Sequence, residues 1–311
     1  MSKIKTLFYL IKNKRELILP SAFSYFARSK VSHLLPDKLY LKLQYRVNVG
    51  KRLNLKEPHT FNEKLQWLKL YNRNPMYTEM VDKYAVRDFV SKKIGEEYLV
   101  PLIGAWDDPN DINFESLPRQ FVLKCNHDSG SVIICKNKDE FNKTYAVKKL
   151  GKKLKRDMFY WSREWPYKNI KRKIICEKFM KDREFDVLNV FKILNFNNGE
   201  QIIQVIQDDK MPNESIDYFD SQWNRLDMRQ NFPNSKNPLP KPKTLDKMLD
   251  LAQRLSAGFP FLRTDFYEIN GKVYFSEFTF FSDAGMCRFT PKEWDDELGN
   301  RIDITKLNES K

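Results

Sequence analysis

Cysteine is scarce in this 311-residue chain: Cys125, Cys135, Cys176 and Cys287 stand far apart with no CxxC spacing, which excludes a disulfide framework. Three histidines add no cluster suited to zinc. No apolar run reaches the length of a membrane span, and the start of the chain lacks a signal-peptide cleavage pattern. No internal repeat is visible. These absences predict a cytoplasmic protein with reduced, buried thiols. What the chain does have is ordinary globular content, 41% hydrophobic and 31% charged, with 14% aromatics, in a length that fits one large domain or two intimate ones.

The net charge of +14 is concentrated at the front. Residues 1–56 carry thirteen Lys and Arg against Glu16 and Asp37, interleaved with "LFYLI", "LILP" and "FSYF". Two readings fit this pattern: an amphipathic region lying on an anionic membrane surface, and a solvated helical face. Nucleic acid is not expected, because no recognition motif accompanies the charge.

The first ~95 residues carry helical periodicity. Thr60 and Glu63 stand in capping-box spacing before "FNEKLQWLKLY", and Gly50 and Gly95 follow two further helical stretches. From "EYLVPLIGAW" onward short strands dominate ("QFVLKC", "SVIIC", "KIICEKFM", "FDVLNVFKIL", "EQIIQVIQ"), interrupted by the basic helix "FNKTYAVKKLGKKLKRDMF". A Pro/Asn-rich loop, "NFPNSKNPLPKPK", precedes a helix over 244–257. Single helices among strand pairs after a helical region indicate an α+β fold.

Four stretches carry candidate chemistry. In "LKCNHDSGSVIIC", Lys124 ends a strand and Ser129-Gly130-Ser131 forms a tip whose backbone N–H groups suit phosphate. The same tip suits an ordinary hairpin loop, and His127 within it reads as a catalytic base or a polar loop residue. In "IICEKFMKDREF", Glu177 and Lys178 close a strand, Met180 follows and Glu184 comes a short loop later. That order suits a purine nucleoside, with an acceptor for the exocyclic amine, an apolar ring contact and a carboxylate for the ribose; a surface Glu-Lys pair is the plainer reading.

In "FLRTDFYEINGKVYFSEFTFF", two strands flank an Asn270-Gly271 turn. Asp265 and Glu277 on facing strands can hold Mg²⁺ against substrate phosphates, or Asp265 can pair with Arg263. A strict two-residue turn would set Asp265 against Ser276 and turn Glu277 to the other face, so a bulge is expected at Gly271. In "MFYWSREWPYKNIK", Trp161, Arg163, Trp165 and Tyr167 crowd one loop. They can stack on and pair with a sugar acid, or anchor the loop to the core.

These residues in this order resemble the ATP-grasp ligases, with "EKFMKDREF" spaced much as in D-alanine–D-alanine ligases. The blocks "FNEKLQWLKLY", "QFVLKCNHDSGSVIIC", "REWPYKNIK" and "GFPFLRTDFY" resemble more narrowly the TupA-like ATP-grasp proteins of bacterial cell-surface polysaccharide clusters, over roughly residues 36–300. The resemblance implies a helical basic region over 1–75, a smaller ATP-grasp subdomain with the phosphate loop over 76–180 and a larger one with the metal hairpin over 181–311. It implies ATP and Mg²⁺ as cofactors. Lys124 and Arg87 would contact phosphates, with Ser129, Gly130 and Ser131 closing over them. Glu177, Lys178 and Met180 would lie at the adenine and Glu184 at the ribose. Arg263 would stabilise an acyl phosphate, and Asp265 and Glu277 would ligate the metal. Thr279 stands where the family places Asn, which weakens a second metal position.

The function this implies is ATP-dependent amide formation between a carboxylate and an amine, modifying a surface-polysaccharide sugar or its lipid-linked precursor with an amino acid or small amine, at the inner membrane face. His127, Arg163, Trp165 and Tyr167 are its substrate candidates. A glycosyltransferase of the same pathway and a non-catalytic ATP-grasp scaffold are the alternatives.

Overall fold

The computed structural model describes residues 18–185, 187–208 and 211–307. The basic stretch 1–17 lies outside the described residues. Helices Ile18–Ala27 and Asp37–Asn48 pack through Ala27, Tyr40, Leu41, Tyr45 and Leu53 into a small separate cluster. The helix Phe61–Tyr71 opens on a complete capping box: Thr60 accepts from the Glu63 N–H, and the Glu63 side chain accepts from the Thr60 N–H. Short helices Met76–Val81 and Val86–Ile94 follow.

The first sheet is antiparallel in the order β1-β4-β2-β3, built from β1 (Leu102–Trp106), β2 (Phe121–Cys125), β3 (Ile133–Cys135) and β4 (Ile174–Lys178). Strand alternation divides its faces. Phe121, Leu123, Cys125, Ile174 and Cys176 pack with Ala146 and Leu150 of the helix Lys143–Leu154. The other face carries Val122, Lys124, Ile175 and Glu177. The second sheet is also antiparallel, in the order β10-β9-β5-β6-β7, from β5 (Val190–Phe196), β6 (Gln201–Gln207), β7 (Ser215–Phe219), β9 (Phe261–Ile269) and β10 (Lys272–Thr279). A two-stranded ribbon pairs β8 (Arg229–Gln230) with β11 (Phe289–Thr290). The helix Leu245–Ser256 buries Leu245, Met248, Leu251, Ala252 and Leu255 against one face of the large sheet. All four cysteines are free and buried.

Packing does not follow the boundary at 75/76 expected from sequence. Leu65, Val81, Val86, Val90, Ile94 and Leu99 share one core with the large sheet, so residues 61–99 belong with it, and the small sheet keeps its own core. Two sequence-adjacent segments separate here because apolar faces follow the sheet they cover.

Candidate active site

The β9–β10 register places Asp265 directly opposite Glu277, hence on one face. The expected bulge exists but at another position. Asn270 and Gly271 form a regular two-residue turn, both in the left-handed region (φ 52° and 74°), and the extra residue is Ser276, between Phe275 and Glu277. Thr279, opposite Arg263, shares the face of Glu277. Arg263 grips Asp265 with two hydrogen bonds of 2.8 Å, Nε to Oδ1 and Nη2 to Oδ2, and lies 3.8 Å from Glu277. Asp265 is 1% exposed, so this pair is a buried one rather than a surface pair. Burial alone would pull the Arg263 guanidinium down, but Asp265, Glu277 and Asp283 outweigh it and raise it.

Sequence reasoning missed Lys83. Its Nζ lies 3.1 Å from Glu277 Oε2 and donates to the Asp128 carbonyl at 3.2 Å. It therefore ties the hairpin to the 126–131 loop. Burial would raise the Glu277 carboxyl, yet Lys83 and Arg263 hold it down at about 2. The signal available was the Asp82-Lys83 pair just before "YAVR". Asp82 Oδ1 accepts from Asn126 Nδ2 at 2.8 Å and from the Tyr84 N–H, and the Lys83 N–H donates to the Asn126 carbonyl.

On the small sheet, Lys124 Nζ lies 2.7 Å from Glu177 Oε2, and Arg87 Nη1 lies 3.9 Å from Glu177 Oε1 while donating to the Val100 carbonyl at 2.9 Å. Ser129 and Gly130 (φ 83°) form the exposed tip of the loop. Ser131 does not point outward: it is buried, and its Oγ accepts from the Cys125 N–H at 2.9 Å, closing the base of the loop. His127 is buried too, with Nε2 3.1 Å from the Arg156 carbonyl, and burial lowers its ring. That makes it a loop residue of the interior and not an accessible base. Lys153 lies 3.9 Å from Asp128 beside this loop, a second cation not foreseen.

The connector between the sheets carries the remaining candidates. Lys178 is exposed, with its N–H bonded to the Pro101 carbonyl at 2.9 Å, and Met180 is half-buried. The following turn is tied to the hairpin tip, since Asp182 Oδ2 accepts from the Asn270 N–H at 2.6 Å and Asn270 Oδ1 accepts from the Arg183 N–H. Glu184 is exposed and borders a pocket of about 360 Å³ lined also by Phe191, Glu268 and the 239–243 loop. Phe191 lies on the helix-covered side of the large sheet, so this pocket is away from Asp265 and Glu277. The two sheets do approach each other at Tyr267, whose hydroxyl is raised by burial and then by Glu277, Glu177 and Asp265.

The aromatic loop divides. Arg163 is 1% exposed, with Nη2 donating to the Ser32 carbonyl at 2.6 Å and its guanidinium 4.1 Å over the Tyr40 ring. It anchors the first helices and has no surface for a substrate, which corrects that expectation. Trp165 stacks on Tyr77 at 5.7 Å within the main core. Tyr167 packs partly buried against the main core, and burial first, then Glu164 and Glu277, push its hydroxyl well up.

Among the described residues no group of three or more His, Cys, Asp or Glu is gathered for a metal. Two facing carboxylates with cations beside them fit Mg²⁺ nonetheless, because that ion is commonly held by one or two carboxylates plus substrate phosphates.

Two antiparallel sheets, one bearing a Lys–Glu pair and a loop with an exposed tip, the other an Arg and two carboxylates, define a nucleotide-gripping protein of the ATP-grasp class. Residues 63–303 match the TupA-like ATPgrasp family, and the chain belongs to it. It is thus an ATP-grasp ligase with ATP and Mg²⁺ as cofactors. No curated protein sequence matches it. Solved structures similar to it include D-alanine–D-alanine ligase from Helicobacter pylori (15% identity, 79% of this chain and 71% of that one, TM-score 0.41). Others are D-alanine–D-alanine ligase from Bacillus anthracis (17%, 76% and 72%, TM-score 0.41) and N5-carboxyaminoimidazole ribonucleotide synthetase from Thermus thermophilus (13%, 78% and 52%, TM-score 0.38). The chain spans about half the length of the last.

Proposed function

We propose that this ligase joins a carboxylate to an amine as an amide, on a surface-polysaccharide sugar or its lipid-linked precursor. The observation that carries the reading is the in-register Asp265–Glu277 pair with Arg263 bonded beside it, close to the small-sheet face that bears Lys124 and Glu177. Mg²⁺·ATP supplies a phosphoryl group that makes a carboxylate a good electrophile, as an acyl phosphate from which an amine releases phosphate. The chain's own part is positioning and charge neutralisation. Lys124 and Arg87 bind nucleotide phosphates under the Ser129-Gly130 tip, with Lys83 and Lys153 beside it. Glu177, Lys178 and Met180 border the adenine, while Glu184, bordering a pocket on the other side of the large sheet, has no part in holding the ribose. Asp265 and Glu277, with Thr279 on the same face, hold the metal. Arg263, fixed by Asp265, stabilises charge on the acyl phosphate.

The first helices support a peripheral place on anionic membrane. Leu19, Val31, Leu34, Leu39 and Leu43 are exposed among Arg28, Lys30, Lys38, Lys42 and Arg46. An apolar set ringed by cations suits an anionic lipid surface. Among the described residues no helix is long and apolar enough to cross a membrane.

The test is ADP release across a panel of amino acids and uronic-acid carboxylates, with product masses measured. An amide product with one ADP per bond is expected. Release of UDP from a nucleotide sugar without ATP would replace this reading by a glycosyltransferase, and failure of the purified protein to bind ATP would leave a scaffold.

A further inference from the structure

The register of the large sheet lines up Glu277, Asp265, Lys192, Gln204 and Tyr218, one residue from each of the five strands. The adjoining rows on the same face carry Leu194 with Ile202 and Val190 with Ile206. Those rows continue into Arg263 and Thr279 on one side and Tyr267 on the other, and a polar row flanked by apolar residues is costly unless its groups find partners. Its far end has them: Gln204 Nε2 donates to Tyr218 Oη at 3.0 Å, and Tyr218 donates to Gln230 Oε1 at 2.5 Å. The middle does not. Lys192 is half-buried and, among the described residues, its Nζ meets no hydrogen-bond acceptor and no carboxylate at ion-pair distance. Burial and then Arg263 pull its ammonium below the ordinary value, against Asp265, Glu277 and Asp283.

The loop after β10 supplies the opposite charge. Asp283, Ala284 and Gly285 lie in succession in the left-handed region (φ 47°, 56° and 59°), a conformation that costs the two non-glycine residues about 1–2 kcal/mol each. It is held from behind by the helix Phe61–Tyr71: Gln66 Nε2 donates to the Ala284 and Gly285 carbonyls at 3.0 and 2.7 Å, and buried Lys69 to the Ala284 carbonyl at 2.7 Å. The result is an exposed Asp283 beside the site, since neighbouring Ser282 Oγ lies 3.4 Å from Arg263 Nη1. Among the described residues no cation pairs with Asp283. One cation stands beside Asp265 in the sheet and one anion follows the Ser282 that neighbours Arg263, and the two form no ion pair with each other.

We propose that Lys192 and Asp283 form the site of a zwitterionic substrate, an α-amino acid whose carboxylate Lys192 holds and whose ammonium Asp283 holds. The assignment rests on the ligase reading, in which that amino acid contributes the amine. It places the nitrogen on the Asp283 side, next to Arg263, where the activated carboxylate would lie. A cation and an anion held on separate elements favour a ligand bearing both charges over ions bearing one.

The experiment is thermal unfolding of the protein loaded with MgCl₂ and a non-hydrolysable ATP analogue, titrated with each of the twenty L-amino acids, D-alanine and D-glutamate. Acetate, methylamine and the two together serve as single-charge probes. At least one amino acid raises Tm beyond any of these probes. Lys192→Met and Asp283→Asn each remove that rise while the shift from the analogue alone persists; asparagine tolerates the left-handed region, so the loop is kept. The proposal is overturned if no amino acid shifts Tm, if acetate or methylamine shifts it equally, or if the rise survives both substitutions. Amino-acid binding lost in both variants, with no ADP release from any carboxylate, would sink the ligase reading and leave this site standing. ADP release with a simple amine, unchanged in both variants, would do the reverse.

Discussion

Replacing Arg163 by Met tests whether the aromatic loop is an anchor. Met keeps much of the stem's bulk and removes every donor. Three carbonyls then lose a partner: Ser32 and Leu35, at 2.6 and 3.4 Å from Nη2, and Tyr160, at 3.3 Å from Nη1. Ser32 keeps the Leu35 N–H at 3.3 Å, and losing the charged donor from the three costs about 1–3 kcal/mol. Losing the guanidinium from the Tyr40 face adds about 1–2 kcal/mol. Asp37 adds less than about 1 kcal/mol, because its Oδ1, 3.2 Å from Nε, belongs to a partly exposed carboxylate and lacks hydrogen-bond geometry. The sum is about 2–6 kcal/mol. With an unfolding entropy of about 2.1 cal/mol/K per residue, roughly 0.65 kcal/mol/K for this chain, Tm falls by about 3–9 °C. Differential scanning calorimetry reads that fall, and KM values for ATP and the amine stay within about twofold. A Tm change under about 1 °C together with a large rise in the amine's KM would refute the anchor and restore Arg163 as a substrate contact.

Three further outcomes follow from single contacts. Lys124→Ala removes the proposed charge-assisted phosphate contact, worth about 1.5–3 kcal/mol, so KM for ATP rises about 10- to 100-fold in an ADP-release assay, and Tm falls as well because buried Glu177 loses its 2.7 Å partner. Burial lowers the Lys69 ammonium from 10.5 to about 8. Between those values the unfolded chain binds more protons than the folded one, so Lys69 makes stability rise with pH by about 3 kcal/mol from pH 8 to 10.5. Urea unfolding of Lys69→Met against the parent protein should show that increment missing. Gly299→Ala puts a Cβ 2.3 Å from the His59 carbonyl and 2.8 Å from the Phe61 nitrogen, both backbone, and should lower the urea midpoint by the equivalent of about 2–4 kcal/mol.

Legibility differed by kind of residue. Asp265 and Glu277 stood out because a carboxylate among Phe and Tyr on a strand asks for a reason, and Lys124 and Glu177 stood out at strand ends. Lys192 gives the same signal inside "VFKIL", and the alternation that exposed Asp265 would have exposed it too. Lys83 offered only the adjacent Asp82 as a signal and Lys153 none, since lysines at helix edges are ordinary; the folded loop gathers them. Arg163 was misjudged because sequence shows an aromatic neighbourhood but not which carbonyls close over it. The placement of residues 61–99 against the large sheet was hidden for a related reason: periodicity tells which face is apolar, not which partner covers it.

The bulge at Ser276 also sets where this hairpin tolerates a change of length. Deleting Ser276 would leave Phe275 opposite Phe266 and bring Glu277 next in line opposite Asp265, so the regularised hairpin keeps both carboxylates on the same face. Deleting one residue between Glu277 and Thr279 would instead rotate Thr279 away from Arg263. Ser276 is thus a position where the strand can lose a residue and still keep the proposed metal-holding pair in register.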